Sequence, residues 1–410
     1  TRLRPTRGSQ SLYLDGVVVR NAEIMTIRGA GLIAGAYEHP ERIIPNKSLA
    51  QVHSEVAAGA LADAGLTFAD VDGYFCDASI PGLQPLSLSD YMGLHPKHIA
   101  STETGGSSYL VHVAQAVQAI KSGACAVALI TLAGLPRQLA PNPPAPGAPE
   151  AGFEGAMWGQ TVPGMYALAA QRHMYEYGTT SEQLAAIRVA AAHHAQYNPN
   201  AMFQKPVTIE EVVNSRMVSD PLHLLDCCVI TDGGGALIVV SPEVARDLDR
   251  TSVKVLGHGV STKHTNGGKI DLTYSGALWS GPRAFEEAGV TQDDIDYASI
   301  YDSFTITVLE TLEDLGFCEK GEGGRFVMDG ALQAPFGRLP FNTDGGGLCN
   351  NHPGNRGGIT KVIEAVRQLR DEAHPEVQVP NAQLALAHGT GGMLGSRMGS
   401  ATLILGREDA

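Results

Sequence analysis

The pattern of apolar and polar positions is clearest between Thr102 and Leu135. After the turn Gly105-Gly106-Ser107-Ser108, residues Val111, Ala114, Val117 and Ile120 recur at helical spacing and predict an amphipathic helix. Ser107 or Ser108 can cap its start and Ser122-Gly123 ends it, before the apolar run Cys125–Thr131, which reads as a buried strand. Upstream, Thr26–Ala36 reads as a strand, Leu49–Ala64 as a helix and Asp72–Cys76 as a short strand, with a loop leading to the glycine turn. Downstream come helices over Tyr166–Tyr177 and Ser181–Tyr197, the second opening on Thr180-Ser181-Glu182-Gln183, and a strand at Ala236–Val240. Alternating β and α elements predict a layered α/β fold. Between them, Pro136–Met165 is rich in Pro and Gly and too long for an idle connection, so it is expected to cover an active site.

The second half of the chain repeats the first. Ala60–Phe75 (ALADAGLTFADVDGYF) returns as Ala284–Ser299 (AFEEAGVTQDDIDYAS), with the same Ala-Gly helix stop, acidic turn and following strand. Val253–Ser261 mirrors the opening strand, and His352–Arg370 followed by Ala382–Gly392 mirrors the turn, helix and strand that hold Gly106. The division expected is an N-terminal extension over 1–24, a first half over 25–250 with an insertion at about 136–220, and a second half over 251–410. Met25 reads as a native start, which leaves the Arg-rich 1–24 outside the fold.

Composition narrows the partners. A net charge of -14 argues against a nucleic-acid or anionic-membrane surface, and no apolar run reaches the roughly 20 residues needed to span a bilayer. The six cysteines are scattered without a Cys-x-x-Cys pair, so reduced buried thiols, a cytoplasmic location and no metal site are expected. The glycine runs Gly233–Gly235 and Gly345–Gly347 lack the G-x-G-x-x-G form and read as tight packing; His193-His194 reads as a solvated pair on a helix.

The turn at Gly106 resembles the nucleophile turn of the thiolase superfamily, with Gly106 where those enzymes carry the reactive Cys. The resemblance covers about 26–408. It implies an α/β thiolase fold, duplicated as five layers αβαβα with two mixed five-stranded sheets, and a site where the duplicated loops meet. Three further loops match: Tyr301-Asp302-Ser303-Phe304, Asn351-His352-Pro353, and His388-Gly389-Thr390-Gly391-Gly392. The motifs LLDCC before Thr-Asp-Gly, YD-x-F, LGFC-x-KGE, LP-x-NT-x-GG and VRQLR resemble the lipid-transfer-protein and sterol-carrier-protein thiolase-like branch, which includes steroid side-chain retro-aldolases. Those aldolases also lack the Cys and use the matching Tyr, but carry a second Tyr where this chain has His352.

By this resemblance Tyr301, His352 and His388 are the candidate catalytic residues. Gly106, Gly389, Asp302 and Asn351 are candidates for oxyanion or substrate binding, with Gly106 leaving room that a Cys would fill. From residue type alone, a buried structural Tyr301, a capping His352 and a strand-end His388 bonded to backbone are equally ordinary. Without the thiolate a covalent acyl intermediate is closed at this position, whereas retro-aldol cleavage of a β-hydroxyacyl-CoA of lipid or steroid side-chain type needs only acid/base groups and enolate stabilisation. The alternatives are a thiolase-like acyl-CoA acyltransferase using another nucleophile, and a non-catalytic acyl-CoA or lipid-binding subunit. No bound cofactor is expected, coenzyme A being part of the substrate. The resemblance also implies a homodimer pairing through the strand region Ala124–Thr131 and a small partner protein with an OB-fold and a zinc ribbon.

Overall fold

The strands form where β-branched and small apolar residues run together between glycine stops. They are β1 (Leu32–Glu38), β2 (Gly73–Asp77), β3 (His98–Thr102), β4 (Val127–Gly134), β5 (Met217–Ser219), β6 (Leu222–His223), β7 (Gly233–Val240), β8 (Val253–Lys263), β9 (Tyr297–Ile300), β10 (Leu384–Gly392) and β11 (Met398–Gly406). The computed structural model describes residues 26–77, 84–138, 161–266, 269–354, 357–394 and 398–409. The N-terminal extension and most of the expected cover segment Pro136–Met165 lie outside them.

Strand order is β3-β2-β4-β7-β1-β8-β11-β10-β9, with β5 and β6 paired separately. Among the described residues the first half supplies five strands to the large sheet. The second supplies four, and its fifth is reduced to one parallel bridge, Phe341 beside Ala298, where Ala298 N–H donates to Pro340 O at 3.0 Å. In place of two separate five-stranded sheets there is one continuous nine-stranded sheet, whose halves join at a seam in which Leu32 opposes Lys254 and Ile33 opposes Val253.

Side-chain alternation builds the layers. Ala128, Ile130 and Leu132 of β4 face the central layer with Ala385, Ala387 and Leu403 of the other half. Between them pack two helices, one per half: Ser108–Lys121 through Leu110, Val113 and Val117, and Gly358–Leu369 through Ile359, Val362 and Val366. The opposite faces are covered by Leu49–Ala64 on the first half, and on the second by Ala277–Ala288 together with Ser181–Ala195 and Thr305–Asp314. Each buried Leu or Ile contributes about 1.5–3 kcal/mol relative to exposure, and in the central layer such residues come from both halves.

The internal repeat is visible in the structure at the helix stop. Gly65 and Gly289 end their helices with φ of 71° and 67°, a left-handed conformation that glycine adopts without a Cβ penalty. Thr67 with Asp70, and Thr291 with Asp294, then form matching capping boxes ahead of β2 and β9.

Three expectations change. β4 lies between β2 and β7, so the Ala124–Thr131 region has no free strand edge; among the described residues the free edge of the first half is β3, a short half-exposed strand where only a loop was expected. Ser107 and Ser108 do not cap through their side chains in the expected way: Ser107 Oγ donates to Thr104 O at 2.7 Å, and Ser108 Oγ accepts from Thr104 N–H at 2.8 Å. His194 is buried rather than solvated, its Nε2 accepting Ala334 N–H at 2.8 Å, and burial lowers its pKa to about 3. Among the described residues no helix is long and apolar enough to cross a membrane.

Candidate active site

β9 delivers Tyr301 to the centre of the molecule. Its N–H donates to His388 O at 2.9 Å, continuing the parallel β9–β10 ladder one residue past the strand. His352 arrives on the loop that follows the helical turn Gly346–Cys349. Tyr301 Oη lies 2.8 Å from His352 Nε2, with the two rings edge to face. Both side chains are buried, and burial is the main cause of two opposite shifts: the phenol is raised well above its usual value, while the imidazole is lowered to about 4. At neutral pH the pair is therefore a phenol and a neutral imidazole, with Gly357 N–H also favouring charge on the phenol oxygen.

Tyr301 and His352 line a small cavity of about 70 Å³ together with Cys228, Ser303, Thr390 and Gly391, and the stacked rings of Tyr166 and Phe304, centroids 4.2 Å apart, form part of its wall. Burial pushes the Tyr166 phenol to about 12 and raises the Cys228 thiol as well.

Gly106 does not leave a vacancy. A Cβ built there would meet Tyr301 Cε2 at 2.3 Å and Thr390 O at 2.5 Å, so the tyrosine ring already takes the space a cysteine would need. Gly389 permits close packing of β10 on the same turn, since a Cβ there would meet Leu110 Cδ1 at 2.6 Å and Gly106 O at 3.0 Å.

The other candidates stand behind the cavity. The His388 imidazole is fully buried, Nδ1 2.9 Å from Thr402 Oγ1 and Nε2 without a hydrogen-bond partner among the described residues, and burial lowers it to about 3; its backbone rather than its ring serves Tyr301. Asn351 is committed at both ends, Nδ2 donating to Glu38 Oε1 at 2.8 Å and Oδ1 accepting from Thr231 Oγ1 at 2.8 Å. The Thr231 hydroxyl in turn accepts His352 N–H at 2.9 Å. Burial alone would raise Glu38, but Arg42 and Arg367 hold its carboxyl below the usual range. Asp302 is buried and accepts Gly347 N–H at 2.7 Å and Leu348 N–H at 3.0 Å, so it braces the His352 loop instead of facing the cavity. Gly346 and Gly347 make room for it: a Cβ at Gly346 would lie 2.1 Å from Asp302 Oδ2 and one at Gly347 3.1 Å from Asp302 Oδ1.

Sequence reasoning missed Cys228 and Tyr166 as cavity residues. The LLDCC motif placed Cys228 between an acidic residue and a glycine loop, yet nothing in the linear pattern brings it to Tyr301.

Two duplicated α/β halves whose loops converge on a buried Tyr–His pair define a thiolase-fold protein. Residues 257–407 match the family described as thiolase C-terminal domain-like. The chain is 37% identical to an acetyl-CoA acetyltransferase of Methanothermobacter thermautotrophicus, over 84% of this chain and 91% of that protein. It is 34% identical to a steroid side-chain-cleaving aldolase of Thermomonospora curvata, over 83% and 90%. The solved structure of the Ltp2-ChsH2(DUF35) aldolase aligns with a TM-score of 0.85 at 32% identity, covering 94% of this chain and 100% of that one. The chain belongs to the thiolase superfamily, in its sterol-carrier-protein thiolase-like branch.

Proposed function

We propose that this protein is a carbon–carbon lyase that cleaves a β-hydroxyacyl-CoA of lipid or steroid side-chain type by a retro-aldol route, without an acyl-enzyme. The observation that carries this reading is the replacement of the nucleophile by Tyr301, whose ring fills the Gly106 position and whose hydroxyl reaches His352 at 2.8 Å. A neutral His352 accepts the Tyr301 proton as the phenol oxygen takes the proton of the substrate's β-hydroxyl. The Cα–Cβ bond then breaks, its electron pair passing to the thioester as an enolate while the β-carbon leaves as a ketone or aldehyde. The proton held by the pair returns to Cα and restores both residues. Coenzyme A is carried by the substrate and no other cofactor takes part.

The similarity to a structure named as an Ltp2-ChsH2(DUF35) aldolase supports a small partner subunit for this chain too. A homodimer would form through β3, the free edge of the first half, where Ile99 is 40% exposed. The six cysteines, all free, fit the reducing cytoplasm.

A second reading is acyl transfer, favoured by Cys228 in the same cavity and by the 37% identical acetyltransferase. Product analysis from a 3-hydroxyacyl-CoA separates the two. Release of a carbonyl compound plus a shortened acyl-CoA without added free coenzyme A supports the lyase; an enzyme adduct of acyl mass at Cys228, or dependence on free coenzyme A, overturns it.

A further inference from the structure

Beneath the Tyr301–His352 pair lies a charged pair that takes no part in lining the cavity. Lys361, on the central helix Gly358–Leu369, is 1% exposed, and its Nζ lies 3.1 Å from Asp302 Oδ1. Asp302 adjoins Tyr301 in the chain and clamps Gly347 and Leu348 N–H groups, which begin the turn leading to His352. One carboxylate thus touches three elements: the loop of Tyr301, the loop of His352 and the helix between the sheets.

We propose that Lys361 is a positioning residue of the reaction, holding Asp302 so that the Tyr301 loop and the His352 loop keep one fixed spacing. This rests on the lyase reading for its catalytic meaning, though not for its geometry.

A pair of charges buried this deeply is a poor source of stability, because the desolvation of both ions offsets their attraction and apolar residues of similar size would pack as well. Its location is informative. Burial alone would lower Lys361, but Asp302 and Asp344 keep it protonated, so the ammonium is a permanent charge at neutral pH. The groups facing His352 are the Tyr301 phenol, the Asp302 carboxylate and the Lys361 ammonium; after burial, Asp302 favours the imidazolium and Lys361 opposes it. Lys361 therefore does two things through Asp302. It anchors the carboxylate that spaces the loops, and it offsets the charge that would otherwise draw a proton onto His352 and block it as an acceptor.

The test uses Lys361→Met, which keeps an unbranched side chain one atom shorter and removes the charge, and the double variant Asp302→Asn with Lys361→Met, which removes the unpaired charge. Purified protein, with its partner subunit where one is required, is assayed for kcat and KM on a 3-hydroxyacyl-CoA. In parallel, the ¹³C-labelled imidazole of His352 is titrated by NMR, its signal assigned by its absence in His352→Gln. Lys361→Met is expected to lower kcat by about 10- to 100-fold with little change in KM, and to shift the His352 titration upward. The double variant should regain thermal stability but not kcat. Wild-type kcat in the double variant, an unmoved His352 titration in Lys361→Met, or failure of both variants to fold would make the pair purely structural and overturn the proposal. Wild-type protein without lyase activity, in which the His352 titration still responds to Lys361→Met, would instead overturn the lyase reading alone.

Discussion

The Tyr301 ring occupies the space a side chain on Gly106 would take: no Cβ can be placed there without overlapping Tyr301 Cε2. Restoring the thiolase nucleophile by Gly106→Cys should therefore displace the tyrosine instead of creating a thiolase. Overpacking of this kind costs about 1–3 kcal/mol, and kcat should fall by about 10²-fold or more because Tyr301 leaves His352. Thermal unfolding and a lyase assay check this; because Thr390 O also lies 2.5 Å from the added Cβ, adding Tyr301→Ala to Gly106→Cys should recover neither stability nor lyase activity.

Replacing either member of the pair, by Tyr301→Phe or His352→Gln, should lower kcat by about 10²- to 10⁴-fold with a smaller effect on KM. Because His352 is neutral above about pH 4, its limb of the rate profile should lie below pH 5, and rates should be level through neutrality. A kcat that falls as pH drops from 7 to 6 would assign the base to another group.

The legible parts of this molecule were those set by local patterns. Gly65 and Gly289 were readable as helix stops because a left-handed residue without a Cβ is a local requirement, and the Thr–Asp turns that follow them repeat it. Tyr301 and His352 were readable through their motifs. The orientation of His388 was not: a strand side chain's direction depends on which layer its face meets, and one residue of register decides between the cavity and the outer core. Nor were the roles of Asn351 and Glu38, which meet across 313 positions of sequence. β3 went unseen because a five-residue, half-exposed edge strand has too few apolar positions to signal itself.

Acid should weaken the fold through buried imidazoles. His112 and His352 are lowered by burial to about 4, and His194 and His388 to about 3, from an ordinary value of 6.5. Between those values the unfolded chain binds more protons than the folded one, so stability is full above about pH 6.5 and is lost as pH falls toward 4. Each imidazole that stays neutral in the fold while its unfolded counterpart is charged loses about 1.4 kcal/mol for every unit the pH drops, so by pH 5 the combined loss is on the order of several kcal/mol, or ~10 °C in Tm. His112, neither of whose ring nitrogens has a hydrogen-bond partner among the described residues, offers the control: His112→Leu should raise Tm at pH 5 by more than it does at pH 8.

Assembly is tested at the free edge. Ile99→Lys places a charge in the middle of β3, and should convert a dimer to monomer by light scattering at micromolar concentration while leaving the fold intact by circular dichroism. An unchanged dimer would place the interface elsewhere.

The small cavity is bounded by the Tyr166–Phe304 stack. Tyr166→Ala should cost about 3–5 kcal/mol, as for other large aromatic deletions, and shift the preferred substrates toward bulkier groups on the β-carbon. Competition between short and branched 3-hydroxyacyl-CoA thioesters measures the shift; an unchanged ratio would show that the stack does not bound the substrate.

The seam between β1 and β8 has a consequence for synthesis of the chain. β1 is bonded on one side to β7 and on the other to β8, and the helix Ser108–Lys121 packs against a helix whose last residue is Leu369. While the ribosome is still making the second half, the first presents an unpaired strand edge and the bare apolar side of its helix to water. Such intermediates aggregate, so the two halves expressed as separate polypeptides should be recovered largely in inclusion bodies, and together should yield soluble protein only when produced in the same cell.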